Sequence, residues 1–263
     1  MTIARFVKDS TYRHWALLWL RHRRVPRYQA GRLRAFGYEL EVTDHISVVH
    51  QLRDIFVEHE YRIPDPGPRP VIVDVGANVG VSVLYHCRML DDPEIHAFEA
   101  DPKIFALLER NVATHAPKAR VRLHRAAAHT STGSVKFARE GADGGQVQDA
   151  ASTASDMVEI PSIDLLDYLQ DLPRIDLLKI DIEGAESFVV PHCAPVFERA
   201  QRIFIEVHSS PGRDQALPQL LALLQRSGFR LHVQSAEFVR SPFVPSNRHF
   251  DNQVNVFAYR VPA

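Results

Sequence analysis

Cysteine is scarce in this chain: Cys87 and Cys193 are the two among 263 residues. Two thiols set far apart in apolar sequence make neither a disulfide framework nor a zinc site, and a reducing cytoplasm is the compartment expected. Long apolar runs are missing as well. The longest near the N-terminus, Trp15 to Leu20, is six residues, too short for a signal core or a membrane span. An excess of one charge is also missing, since 31 Lys and Arg against 32 Asp and Glu leave a net −1. That balance gives no general pull toward nucleic acid or membrane. With hydrophobic residues at 45 %, the chain can still bury one substantial core.

What the sequence does have is one strand-turn-helix signal. Val71-Ile72-Val73-Asp74-Val75 reads as a buried parallel strand, Gly76 and Gly80 follow, and Val81 to Tyr85 continues as a helix. Such a unit presents backbone N–H groups at a helix start to a nucleotide-like ligand, and side chains at the glycines would block close approach. Glu99 stands 19 residues past Gly80, after the strand-like Glu94 to Phe98, where an acid holds a ribose hydroxyl pair. The dinucleotide pattern Gly-x-Gly-x-x-Gly fails at Asn78, whose side chain occupies the place of the middle glycine. Asp74 puts a negative charge where phosphate would sit. An acid there suits the amino group or sulfonium of S-adenosylmethionine, so a methyl donor is expected in preference to NAD.

Around this unit the periodicity alternates. Ile3 to Arg24 has helical spacing and ends in the basic cluster Arg21-His22-Arg23-Arg24; Met1 to Arg34 holds nine basic residues and one acid, Asp9. One reading is a surface helix touching an acidic substrate or an anionic membrane face. The preferred one packs the helix on the core or on the partner of a homodimer. Phe36 to Val42 reads as a strand, and Ile46 to Glu58 as a helix capped by Asp44. The proline-rich stretch Pro64 to Pro70 divides an N-terminal cap, residues 1–69, from a catalytic domain, residues 70–263. Beyond Glu99, a helix opens at Asp101-Pro102 and a strand runs Val121 to His124 toward Ala126-Ala127-Ala128, small residues that leave room for a flat base. Gly133 to Phe137 suggests a hairpin, Glu140 to Asp156 a mobile loop, and Pro161 to Leu169 a turn into a helix capped by Ser162. Strands are expected at Ile175 to Ile180, Arg202 to His208, Phe229 to Val233 and Val254 to Tyr259, with a helix from Leu217 to Arg226. The pattern predicts an α/β fold with a mostly parallel seven-stranded sheet and helices on both faces.

These stretches together resemble the FkbM family of S-adenosylmethionine-dependent methyltransferases. The likeness rests on Arg53-Asp54-Ile55-Phe56-Val57 with Glu60-Tyr61, and on Val73-Asp74-Val75-Gly76-Ala77-Asn78-Val79-Gly80. It continues with Ala97-Phe98-Glu99 before Asp101-Pro102, with Leu178-Lys179-Ile180-Asp181-Ile182-Glu183-Gly184-Ala185-Glu186, and with Ile205-Glu206-Val207-His208. Ala100 departs from it, since the family commonly has proline after the ribose acid. The resemblance implies a Rossmann-like methyltransferase fold and methylation of an oxygen, typically a sugar or natural-product hydroxyl, less often a carboxylate. It implies that Asp74, Gly76, Asn78 and Gly80 surround the methionine part of the cofactor and that Glu99 holds the ribose. Tyr61, Ala77, Ser82, Ala127 and Asp181 complete the expected cofactor-binding set.

In an open α/β sheet ligands lie beyond the carboxyl ends of the strands, which singles out Asp181, Glu206 and His208 as catalytic candidates. Glu206 and His208 point to one side of an extended strand. His208 is the first choice for general base, because an ordinary imidazole titrates near neutrality, and Asp181 is the second. Glu183 and Glu186 read as first-turn acids that favour a helix dipole. A metal is the alternative to a base: Asp181, Glu206 and His208 offer ligands to Mg²⁺, but without a dense acidic cluster metal-free catalysis ranks higher. Rival functions are a nucleic-acid or protein methyltransferase, an NAD-dependent oxidoreductase, or a scaffold without activity. The Asn/Asp-Pro-Pro-Tyr turn of base amino methylation is absent, Asp181-Ile182-Glu183-Gly184 standing in its place. A small hydroxylated molecule is therefore the expected acceptor, with no nucleic acid and no membrane span.

Overall fold

The computed structural model describes residues 3–138, 146–147, 157–236, 243–244 and 250–261. The chain opens on α1 (Ile3–Lys8) and α2 (Ser10–His22), two helices where one was expected. Asp9 makes the break, its carboxylate accepting Tyr12 N–H at 2.9 Å as the cap of α2. Trp15 and Leu18 are buried, whereas Val7 is exposed and Arg21, Arg23 and Arg24 face outward. Next comes a hairpin of β1 (Gly31–Ala35) and β2 (Tyr38–Val42). The single strand expected from Phe36 is corrected here. Phe36 and Gly37 both have positive φ, 52° and 90°, and form the turn between two strands. Then α3 (His45–Leu52), capped by Asp44, passes into a π-turn at Arg53–Val57 where an α-helix was expected to continue.

Past the proline-rich stretch the layers alternate: β3 (Val71–Val75), α4 (Val81–Met89), β4 (Glu94–Phe98), α5 (Pro102–His115) and β5 (Arg120–His124). A side sheet follows, of β6 (Ala127–His129), β7 (Gly133–Ala138), β8 (Gln146–Val147) and β9 (Met157–Asp164). Apart from β8, the loop expected from Glu140 to Asp156 lies outside the described residues. Ser162 is in β9, and the cap of α6 (Leu165–Gln170) is Asp164 instead, accepting Leu166 N–H at 3.0 Å. The chain closes with β10 (Leu177–Ile180), α7 (Glu186–His192), β11 (Arg202–Ser209), α8 (Leu217–Arg226), β12 (Arg230–Ser235) and β13 (Asn252–Tyr259).

Seven strands form the main sheet in the order β12-β13-β11-β10-β3-β4-β5. Pairing is parallel from β11 to β5, and β13 runs antiparallel to both β11 and β12. Alternation along β3 sends its side chains to two cores. Ile72 joins a cluster with α4, α5 and the N-terminal helices, through Leu84, Leu108, Val49 and Trp15. Val71, Val73 and Val75 join the other, built on Leu169 of α6, Val189 of α7 and Leu224 of α8. Both faces of the sheet are thus covered, the Rossmann-like layout expected from the sequence. The segment before Pro64 shares the first core, so apolar contact crosses the proline-rich stretch. Among the described residues no helix is long and apolar enough to cross a membrane.

Candidate active site

The parallel strands β3, β4, β10 and β11 all end at one edge, and a cavity of about 670 Å³ opens over it. That volume lies within the roughly 300–1,000 Å³ of small-molecule sites. Of the residues singled out in the sequence, Tyr61, Gly76, Ala77, Asn78, Ser82, Glu99, Ala127, Asp181 and Glu206 line it. Asp74, Gly80 and His208 stand behind its wall.

Asp74, expected to meet the cationic end of a ligand, lies behind the cavity wall. It is 1 % exposed, and register places Lys179 of β10 directly across from it. The Lys179 ammonium sits 3.1 Å from Asp74 Oδ1 and donates to the Gly76 carbonyl at 2.8 Å. Ser82 Oγ donates to Asp74 Oδ2. The carboxylate is therefore spent on fixing the turn. Lys179 itself reaches the cavity, where it also lies 3.5 Å from Asp181.

The two glycines also answer to packing within the chain. Gly76 has φ +89°, and a Cβ on it would fall 1.8 Å from the backbone oxygen of Asp181. Gly80 has φ +92°, and its Cβ would meet Leu108 at 2.7 Å. Close approach is needed here between strand ends and between helices, ahead of any ligand. Asn78 adopts φ +49°, a left-handed backbone that asparagine tolerates better than most residues.

Glu99 follows the end of β4 with one carboxylate oxygen on Asn78 N–H at 3.0 Å and the other on Asp101 N–H at 2.8 Å. It ties the β3 turn to the start of α5. Burial holds its pKa up at about 7, against the lowering effect of those two hydrogen bonds. Each oxygen keeps a lone pair for a further donor. Ala126, Ala127 and Ala128 form the neighbouring wall.

Beyond β10 the backbone turns through Glu183 at φ 56° and Gly184 at φ 106°. Glu186, the first residue of α7, folds back into this turn. Its two oxygens accept Ile182 N–H and Gly184 N–H, each at 2.9 Å, and it is wholly buried. A helix-dipole role, as expected from sequence, misses this bracket. Glu186 also accepts from Nδ1 of His208 at 3.1 Å. Nε2 of His208 lies 3.4 Å from Glu183 and 3.7 Å from Glu206. Burial alone would lower the imidazole pKa, but the Glu186 and Glu183 carboxylates outweigh it and hold the group at about 10. His208 is thus held as a paired, buried imidazole behind the cavity wall, with Nδ1 on Glu186 and Nε2 toward Glu183 and Glu206. Burial raises the pKa of both Glu183 and Glu206, and crowding by Asp181 adds to the effect.

The opposite wall comes from the N-terminal cap, where the resemblance includes Arg53-Asp54 and Glu60 but the sequence assigned a role to Tyr61 alone. Arg53 and Asp54, in the π-turn, and Glu60 line the cavity. Burial raises Glu60 to about 7, with the Asp54 charge adding to it, while Asn255 donates to its Oε1 at 2.8 Å. The signal for these residues was the motif itself, Arg53-Asp54-Ile55-Phe56-Val57 with Glu60-Tyr61. The resulting wall is rich in carboxylates, a field that favours a cationic guest.

A Rossmann-like sheet with a ligand-sized, acid-rich cavity over its carboxyl edge defines the class of this protein. The model of the Methyltransferase FkbM domain matches residues 74–231. The chain belongs to this family of S-adenosylmethionine-dependent methyltransferases. Among curated relatives, Methyltransferase sdnD of Sordaria araneosa is 28 % identical over 224 residues, 73 % of this chain and 85 % of that one. The 31-O-demethyl-FK506 methyltransferase FkbM of Streptomyces tacrolimicus is 28 % identical over 210 residues, 67 % and 80 % of the two chains. The 2-O-methyltransferase NoeI of Sinorhizobium fredii (strain NBRC 101917 / NGR234) is 24 % identical over 185 residues, 64 % and 75 %.

Proposed function

We propose that this methyltransferase acts on a hydroxyl oxygen of a small molecule, with S-adenosylmethionine seated in the cavity over β3 and β4. The observation that carries this reading is the meeting, in one cavity, of Glu99 with Asp181 and Glu206. Glu99 is held by two backbone donors yet keeps accepting capacity for a ribose diol. The alanines at 126–128 give a flat, apolar surface for an adenine ring, and the acidic wall suits a sulfonium. Two relatives carry O-methylation in their names, which supports oxygen as the acceptor atom.

When bound, the cofactor supplies a methyl carbon on a positively charged sulfur, which departs as a neutral thioether. The chain's own residues then have two tasks. Tyr61, Asn78 and Glu99 orient the donor, and alignment of this kind accounts for much of the rate of an in-line transfer. Glu206, at the end of β11 and beside Asp181, takes up the hydroxyl proton as the oxygen bonds to carbon. His208 stands behind them and positions the carboxylates.

Purified protein with isotopically labelled methyl donor and a panel of hydroxylated metabolites, read by mass, tests the reading. A product heavier by one methyl on oxygen is expected, and Glu206→Gln is expected to slow its formation about 100-fold. Failure of S-adenosylmethionine to raise the melting temperature, or a stronger response to NADH, would overturn it.

A further inference from the structure

His208 is an unusual histidine for a strand end. Its side chain is 1 % exposed, and its Nε2 is buried and makes no hydrogen bond among the described residues. Around that nitrogen stand Glu183 at 3.4 Å and Glu206 at 3.7 Å. One ligand atom each from Asp181, Glu183 and His208 lies within 4.8 Å of the others. Two atoms bound to one Mg²⁺ at about 2.1 Å lie no more than about 4.2 Å apart, a limit that His208 Nε2 and Glu183 meet, with Asp181 beside them.

The surroundings prepare the imidazole for that task. Nδ1 donates to Glu186, whose own two oxygens are fixed by Ile182 N–H and Gly184 N–H. A carboxylate that accepts from Nδ1–H fixes the ring with Nε2 aimed as the ligating nitrogen, which gives up its own proton when the ion binds. Charge points the same way. Asp181, Glu183, Glu186 and Glu206 converge here, while Lys179, 3.5 Å from Asp181, is shared with Asp74. Buried carboxylates in such number are stable when a cation compensates them.

We propose that Asp181, Glu183 and His208 bind one divalent cation of the Mg²⁺ and Mn²⁺ class at the wall of the cavity. Two carboxylates and one imidazole leave three positions of an octahedron open, and an oxygen-rich set with a single nitrogen suits these ions. Asp181 and Glu183 both line the cavity, so the open positions look toward the acceptor. There the cation takes a hydroxyl oxygen of the acceptor as a ligand and lowers its pKa, and Glu206 receives the proton. This catalytic role rests on the methyl-transfer reading; the binding of the ion does not.

The test uses the whole chain, stripped with chelator and titrated with Mn²⁺ under electron paramagnetic resonance, with Mg²⁺ as competitor. One Mn²⁺ per chain is expected, displaced by Mg²⁺ and showing the pulsed-resonance coupling of a coordinated imidazole nitrogen. Glu183→Gln and His208→Gln are each expected to weaken binding about tenfold or more, and exposed Glu109→Gln to leave it unchanged. No stoichiometric uptake at millimolar Mn²⁺, uptake without nitrogen coupling, or folded variants that bind like the parent would overturn the site. The spectroscopy on the parent chain decides even if a variant misfolds. S-adenosylmethionine binding is measured separately in chelator. Its loss there, with Mn²⁺ uptake intact, would sink the proposed function and leave the cation site standing.

Discussion

Replacing Lys179 by methionine isolates the interaction that holds the β3 turn. The substitution keeps most of the unbranched side chain and removes its charged end. Asp74, 1 % exposed, then loses its cross-strand cation at 3.1 Å, and the Gly76 carbonyl loses a donor at 2.8 Å. Removing one member of a buried pair strands the other and costs about 3–5 kcal/mol. The penalty belongs to the abandoned carboxylate, so Asp74→Asn added to Lys179→Met should give back about 2 kcal/mol of it through the coupling of the two sites. Urea unfolding of the parent, both single variants and the double variant, each followed by circular dichroism and tryptophan fluorescence, measures the cycle. A cost below about 1 kcal/mol for Lys179→Met, the scale of an exposed pair, would refute the argument. A double variant no better than the sum of the singles would refute it too.

Gly76→Ala should prevent folding, because the new methyl would fall 1.8 Å from the Asp181 carbonyl at a φ of +89°; soluble protein with parental circular dichroism would contradict this. Glu60 has a pKa of about 7 against 4.5 for an ordinary glutamate, raised by burial and by Asp54. The folded state therefore binds the proton more tightly. The stability this contributes is complete below about pH 4.5 and is lost as pH rises through 7. Glu60→Gln should flatten that decline in urea midpoints measured between those limits, and an unchanged slope would show that Glu60 titrates normally.

Much of the sheet was readable because its strands are short apolar runs bounded by glycine or proline, and buried parallel strands leave few other readings. The Asp44 cap and the start of α5 at Asp101-Pro102 were equally plain, since both acids immediately precede their helices. Errors arose where a local signal had two explanations. Phe36 to Val42 alternates, yet Gly37 marks a turn, and charged Arg32 and Arg34 disguised the strand before it. Pro161 suggested a turn, but β6 begins opposite Ser162, so the missing N–H lies beyond that pairing.

The site shows the same division. Alternation correctly set Glu206 and His208 on one side of β11, because a strand's period is fixed by its backbone. The role of His208 could not be read from β11, because the Glu183 and Glu186 carboxylates that decide its proton come from the turn before α7. Lys179 did carry a signal: a lysine inside a buried strand demands an anion. The register that supplies Asp74 appears only once β10 is laid beside β3.

The wide turn at Arg53–Val57 ties the reach of the cavity to chain length. Glu58 N–H bonds the Arg53 carbonyl, five residues back, at 2.9 Å, so one residue more than an α-turn is wound into this loop. Deleting a single residue would restore the regular spacing and swing the following chain by about 100°. Glu60 and Tyr61 would leave the rim together, and the acceptor's room would change shape without any alteration to the sheet. Length variation at this one turn would thus reshape the cavity wall, Tyr61 included, while leaving the β3 turn and Glu99 in place.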